Sequence, residues 1–176
     1  MWIGFKMIFD RDYNTRMDEK PLEVLVGELL RRRGWRLAVA ESCTGGLIGH
    51  RLTNVPGSST YYLGSVTAYA YEAKVRLLGV RWETLEKFGA VSQETAVEMA
   101  CGVRRALAAD VGLAVTGIAG PGGGTPTKPV GLTWIGLCVQ DTEEAWQFNW
   151  KGDRLQVKQQ SAEQALRLLF DTLNDN

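Results

Sequence analysis

Apolar residues recur along this chain with two spacings, which predict helices and strands in alternation. From Pro21 the apolar positions are three or four residues apart, at Leu22, Leu25, Val26, Leu29 and Leu30. This is the spacing of a helix that buries one face. Arg31 to Arg33 followed by Gly34 is typical of a helix end. The same reasoning predicts further helices over 44–52, 72–78, 82–88 and 92–109, and a last helix that Asp153 caps.

Short segments rich in β-branched and aromatic residues predict the strands. They lie at 36–40, 66–71, 111–115, 130–139 and 144–150. The last two flank the turn at 140–142 and predict a hairpin. Because the earlier strands alternate with helices, the chain is expected to form an α/β fold. We predict a three-layer α/β/α sandwich with a mixed, mostly parallel central sheet.

A length of 176 residues is typical of one domain. Residues 1–16 fit neither spacing, so we expect an N-terminal extension there and one domain over 17–176. The first residues lack a basic stretch followed by a long apolar run and a cleavage site, so no signal peptide is expected. A cytoplasmic location is therefore predicted.

Charge and composition exclude several classes of function. Lys and Arg together number 20, as do Asp and Glu, which argues against a nucleic-acid-binding protein. No apolar run approaches the ~20 residues that cross a membrane. One histidine and three scattered cysteines offer no catalytic zinc set. We expect no metal and no cofactor, and an activity that survives treatment with a chelator.

Hydroxyls and glycines gather where predicted strands end, which is where open α/β sheets bind ligands. Ser42, Thr44, Gly45 and Gly46 follow the first strand. A helix start there would bind a phosphate or carboxylate, although the same residues would also serve as an ordinary helix cap. Thr116 ends a later strand and enters a glycine-rich loop over 117–124, which matches neither the P-loop nor the dinucleotide pattern.

Several other residues allow both a chemical and an ordinary interpretation. Cys43 would gain nucleophilic character at a helix start, but the lone His50 is poorly placed as its base. Ser58 and Ser59 would by default begin a short helical turn after Pro56-Gly57. Lys74 would by default be a solvated surface lysine.

A series of motifs spread along the chain resembles the CinA C-terminal domain family. The motifs are Ala40-Glu-Ser-Cys-Thr-Gly-Gly, Gly57-Ser-Ser, Val66-Thr-Ala-Tyr with Glu72-Ala-Lys, Gly89-Ala-Val-Ser, Thr116-Gly-Ile-Ala-Gly-Pro, Lys128-Pro-Val-Gly and Gly152-Asp-Arg. They occur in the family's order and cover residues from about 20 to 173. The resemblance implies an amidohydrolase that converts nicotinamide mononucleotide to nicotinic acid mononucleotide and ammonia with a serine and a lysine.

The resemblance also implies roles for individual residues. It matches the nucleophile to Ser59, the base to Lys74, and a supporting tyrosine to Tyr69. It further matches Thr116, Ser42 and Arg154 to polar positions of the family's site. Independently of the resemblance, the position of Thr44, Gly45, Gly46 and Gly117 at strand ends predicts that they contact the substrate as well. Ala70 and Tyr71 depart from the family's usual Ser-Asn at these positions. Full-length relatives carry a separate nucleotide-processing domain, for which this chain has no room.

Ser59 and Lys74 flank the predicted strand at 66–71, so we expect the chain to fold Ser59 Oγ within hydrogen-bond reach of Lys74 Nζ. The partner is expected to be a small nucleotide substrate. A homo-oligomer, most simply a dimer, is expected from the resemblance and from the prevalence of two-fold symmetry. Two alternatives stay open, a nucleotide-binding module without catalysis and a serine amidase acting on another small amide.

Overall fold

The computed structural model describes residues 20–175, which form six helices and five strands. In chain order these are α1 (Leu22–Arg33), β1 (Leu37–Glu41), α2 (Leu47–Thr53), β2 (Tyr62–Thr67), α3 (Tyr71–Leu78), α4 (Trp82–Phe88), α5 (Gln93–Ala106), β3 (Val111–Gly117), β4 (Leu132–Val139), β5 (Thr142–Asn149) and α6 (Arg154–Asp175). A 3₁₀ turn over Ser58–Thr60 precedes β2. The extension predicted over 1–16 lies outside the described residues.

The strands form one sheet in the order β2-β1-β3-β4-β5. β1 pairs in parallel with β2 and β3, whereas β4 is antiparallel to both β3 and β5. Only β4 therefore runs against the other strands, which confirms the prediction of a mixed, mostly parallel sheet. The carboxyl ends of β1, β2 and β3 consequently meet at one edge.

The position of β2 corrects the strand predicted at 66–71. The strand lies over Tyr62–Thr67, and its residues alternate between half-buried and exposed. Because β2 is at the edge of the sheet, its sequence lacks the continuous apolar run of a buried strand. Tyr69 and Ala70 have already left the strand, and Tyr71 begins α3.

The two faces of the sheet are packed differently. On one face, large aliphatic residues such as Leu37, Val39 and Leu113 pack against α1, α2 and α6. On the other face, the alternate residues Ala38 and Ala114 are small and face α5. The second face therefore admits a helix very close to the strands.

Glycines at this second face permit the close approach of α5. A Cβ added to Gly136 would lie 2.3 Å from the carbonyl oxygen of Ala96, and one added to Gly112 would lie 2.1 Å from that of Ala100. Neither oxygen belongs to a flexible side chain. α5 can keep its position only if both strand residues lack a side chain.

We predict that Gly136→Ala destabilises the fold by about 1–3 kcal/mol, because the helix must move away from the sheet. Gly122→Ala is the matched control, since a Cβ there meets nothing within 4 Å. Its free energy of unfolding is expected to change by less than about 0.5 kcal/mol. Chemical denaturation of both variants checks this, and equal stability of the two would contradict the packing described.

Candidate functional site

A cavity of about 160 Å³ opens at the carboxyl ends of the parallel strands. It is lined by the end of β3, by α3, by the loops after β1, β2 and β3, by the segment before α5 and by the first residue of α6. Seven of the residues singled out in the sequence lie in its wall, namely Ser42, Cys43, Tyr69, Lys74, Thr116, Gly117 and Arg154. Its place agrees with the rule that ligands of open α/β sheets bind beyond the carboxyl ends of the strands.

Lys74 lies at the base of this cavity and is completely buried. Its Nζ donates hydrogen bonds to Ser42 Oγ at 3.0 Å, to the Ala68 carbonyl at 2.7 Å and to the Tyr69 carbonyl at 3.2 Å. Burial disfavours the ammonium form and lowers the pKa of Lys74 to about 8. A neutral amine, able to accept a proton, is therefore accessible near physiological pH.

Ser42 is placed opposite Lys74 by the end of β1. Its backbone N–H donates to the Val115 carbonyl at 2.9 Å, which extends the pairing of β1 with β3 by one residue. The hydroxyl is almost buried, with 8% of the residue exposed. Ser42 and Lys74 thus form a serine–lysine pair, although the sequence had suggested only substrate contacts for Ser42.

Ser59 does not meet Lys74 within the chain, so the expected contact between Ser59 Oγ and Lys74 Nζ is wrong. Ser59 lies in the exposed 3₁₀ turn before β2, next to Tyr61, whose carbonyl accepts a bond from Leu37 at the start of β1. Lys74 instead contacts Ser42 at the other end of β1. These two ends are separated by about 16 Å. The strand β2, over Tyr62–Thr67, lies between the two residues, and its length separates Ser59 from Lys74.

The start of α2 also differs from the predicted anion site. The buried carboxylate of Glu41 accepts hydrogen bonds from the backbone N–H groups of Gly46 at 2.9 Å, Ile48 at 3.1 Å and Gly49 at 2.9 Å. A carboxylate of the chain itself therefore occupies the position in which a substrate anion was expected. Gly45, Gly46 and the buried Thr44 do not line the cavity.

Arg154 and Tyr69 close one side of the cavity mouth. Arg154 Nη1 donates to the Gly120 carbonyl at 2.7 Å, and Nη2 donates to the Tyr69 hydroxyl at 3.2 Å. Within residues 20–175, no carboxylate lies within ion-pair distance of Arg154. An uncompensated guanidinium at the mouth would attract an anionic group.

Thr116 lies in the wall of the cavity and has a hydrogen-bond partner within the chain. Its hydroxyl donates to the Ala90 carbonyl at 2.7 Å. This bond holds Ala90 and Val91 against the cavity, two residues that the sequence did not single out. Their neighbourhood was nevertheless visible as the Gly89-Ala-Val-Ser motif. In this structure the hydroxyl of Thr116 thus helps to shape the wall of the cavity, and its expected role in the reaction stays a prediction.

Cys43 and His50 do not form a nucleophile and base. Burial raises the pKa of the Cys43 thiol to about 12, so the protonated form dominates at neutral pH. His50 is exposed on α2, where its Nε2 lies 3.3 Å from Asn54 Nδ2. It does not line the cavity.

Comparison with known protein families identifies the family to which this chain belongs. The model of the CinA C-terminal domain matches residues 19–173. The chain belongs to the CinA C-terminal domain family. This confirms the resemblance inferred from the spaced motifs, and it places Ser42, Lys74 and Arg154 inside the family's domain.

Relatives in this family are similar over nearly all of the chain. The chain is 53% identical over 160 residues to a competence-damage inducible protein of Halothermothrix orenii, covering 90% of this chain and 39% of that protein. It is 49% identical to a protein of the same description from Moorella thermoacetica, covering 92% and 39%. The chain thus spans about two fifths of the length of these curated relatives.

Solved structures of the CinA superfamily share the fold. One from Klebsiella pneumoniae has a TM-score of 0.85 and 34% identity, covering 88% of this chain and 97% of that chain. One from Enterobacter cloacae also has a TM-score of 0.85, with 31% identity, covering 93% and 99%. The three-layer α/β architecture is therefore that of the CinA superfamily.

Proposed function

We propose that this domain hydrolyses the carboxamide of nicotinamide mononucleotide, giving nicotinic acid mononucleotide and ammonia, with Ser42 as nucleophile and Lys74 as base. The contact of 3.0 Å between Lys74 Nζ and Ser42 Oγ carries the proposal. It supplies the arrangement that a serine hydrolase without histidine requires, a hydroxyl beside a base of lowered pKa. The substrate comes from the family resemblance, and the positive charge of Arg154 at the cavity mouth is compatible with its phosphate.

In the first half of the reaction, neutral Lys74 accepts the hydroxyl proton of Ser42 while Oγ attacks the carboxamide carbon. The tetrahedral intermediate collapses when its C–N bond breaks. Lys74 returns the proton to the departing nitrogen, so that ammonia leaves and an ester to Ser42 remains. The base is then neutral again and the charges balance.

In the second half, a water molecule takes the place of ammonia. Lys74 accepts a proton from the water, whose oxygen attacks the ester carbon. The C–O bond to Ser42 breaks, and Oγ recovers its proton from Lys74. Because the Ala68 and Tyr69 carbonyls also hold Lys74 Nζ, the amine stays in place between the two halves.

Binding of the nucleotide phosphate is assigned to the cationic side of the cavity mouth. Arg154 lies there, and Lys158 follows one turn later on α6. Lys158 Nζ would lie 3.6 Å from a Cβ on Gly45, which places it beside the loop after β1. Two cations without carboxylate partners among residues 20–175 favour an anionic substrate over a neutral amide.

Two alternatives remain distinct in their outcomes. A nucleotide-binding module would bind the mononucleotide through Arg154 but release no ammonia, and an amidase for another small amide would act on that amide without the phosphate.

We keep catalysis without a bound metal, action in the cytoplasm and assembly as a dimer as parts of this proposal. No helix within residues 20–175 is long and apolar enough to cross a membrane.

Ser42→Ala is expected to lower the rate of ammonia release from nicotinamide mononucleotide by roughly a thousandfold or more, because the nucleophile is lost. Ser59→Ala is expected to change the rate by less than about threefold, since Ser59 lies at the other end of β1. Circular dichroism checks that both variants remain folded. Loss of turnover in Ser59→Ala with normal turnover in Ser42→Ala would contradict the proposal and identify Ser59 as the nucleophile.

The pH dependence follows from the lowered pKa of Lys74. Below about pH 8 the ammonium form dominates and cannot accept a proton, so kcat/KM is expected to fall by about tenfold per pH unit. Above that pH the neutral amine dominates and kcat/KM is expected to level off. A flat profile from about pH 6 to about pH 9 would contradict the assignment.

Lys74→Arg provides the matched control for this profile. Arginine keeps the positive charge at every accessible pH and cannot serve as the base. The variant is expected to be inactive throughout, without recovery at high pH.

A further inference from the structure

Two buried thiols and a carboxylate converge on the face of the sheet that α5 covers. They are Cys101 on α5, Cys138 on β4 and Glu143 on β5. The two sulfur atoms and a carboxylate oxygen all lie within 4.8 Å of one another. We propose that these three residues form a structural site for a thiophilic divalent cation, and that Zn²⁺ is the physiological ion of best chemical fit.

The backbone brings these donors together for reasons that are independent of any ion. Cys138 and Glu143 are directly opposite each other in the β4–β5 pairing, so their side chains point to the same face. Cys101 reaches this face because α5 lies against Gly112 and Gly136. The contact therefore depends on the close helix approach described for the fold.

The spacing is close to that of a zinc site. Zinc binds thiolate sulfur at about 2.3 Å and carboxylate oxygen at about 2.0–2.2 Å, so tetrahedral ligand atoms are roughly 3.8 Å apart. The donors lie within 4.8 Å of one another, so a contraction of at most about 1 Å would bring them to that spacing. Side-chain rotation is sufficient for Glu143, which is exposed and leaves the site open to solvent. Water would complete the fourth position.

The charges at the site also balance. Two thiolates and one carboxylate carry three negative charges, and a divalent cation leaves one of them uncompensated. Arg104 Nη1 lies 3.5 Å from Cys138 Sγ and is anchored by the Gln140 carbonyl at 2.8 Å. Its guanidinium neutralises the remaining charge beside the two buried thiols.

Both thiols must lose their protons when the ion binds. Burial, with additional contributions from Cys138 and Glu143, raises the pKa of Cys101 well above its ordinary value. Because zinc binds cysteine as the thiolate, binding of the ion releases protons. Affinity for the ion is expected to rise with pH.

The cluster is separate from the candidate active site. Cys138 pairs with Gly112 near the start of β3, whereas Thr116 lines the cavity near its end. The two positions are about 13 Å apart along the strand. A bound ion would join α5 to the β4–β5 hairpin and stabilise the fold without entering the reaction.

Titration with Cd²⁺ in a phosphine reductant, after removal of metal with a chelator, tests the site. We expect thiolate-to-Cd²⁺ charge-transfer absorption that saturates at one ion per chain, and a rise in Tm when Zn²⁺ is added. Cys101→Ser and Cys138→Ser should each abolish both signals, whereas Cys43→Ser should keep them.

Glu143→Gln addresses the possibility that the cysteine variants fail to fold, because residue 143 is exposed. It should weaken Cd²⁺ binding by about tenfold or more. Glu144→Gln is the matched control, since Glu144 is also exposed but points to the opposite face of β5. The proposal is overturned if no saturable absorption develops, if Cys43→Ser removes it, or if the two glutamate variants bind Cd²⁺ equally.

Discussion

The buried carboxylate of Glu41 is the interaction on which the candidate site depends. It ends β1 in the interior and accepts three backbone N–H groups from the beginning of α2. The chain is thereby forced into a fixed turn between strand and helix, and Ser42 is the first residue of that turn. A carboxylate that is buried and hydrogen-bonded in this way is costly to displace. Ser42 consequently has little freedom to move away from Lys74.

Lys74 depends on the same edge of the sheet for its unusual environment. A lysine is normally among the most exposed residues, yet this one is completely buried and ends against two backbone carbonyls and one hydroxyl. Burial lowers the pKa of the amine, and the three hydrogen bonds fix the orientation of the side chain. Burial and orientation together distinguish a candidate base from a surface lysine. Both result from the position of α3, which begins at Tyr71, shortly after β2 ends at Thr67.

The sequence predicted the architecture better than the contacts within the site. Periodic apolar positions and turn residues were sufficient for the layers, the hairpin and the helices, because these depend on local patterns. The edge strand β2 was misplaced because it lacks the continuous apolar run of a buried strand, and the pairing of Ser59 with Lys74 was expected from the family resemblance rather than from any local pattern. The serine that does contact Lys74 had been interpreted as a substrate contact.

Other contacts could not be predicted because they join distant segments. Nothing local in the run from Ala40 to Gly46 indicates that Glu41, rather than a ligand, binds the start of α2. Cys101, Cys138 and Glu143 are likewise separated by 37 and 5 residues, and no metal motif has that spacing. Only the close packing of α5 on Gly112 and Gly136 brings them together.

The claim that Ser42 is the reactive serine can be tested most directly by covalent labelling. A serine-reactive fluorophosphonate is added to the active protein, which is then digested with trypsin and examined by mass spectrometry. The sequence separates the two serines, because Ser42 lies in the peptide 37–51 and Ser59 in the peptide 52–74. The account predicts a label on Ser42 that is lost in Lys74→Arg, whereas a label on Ser59 would contradict it.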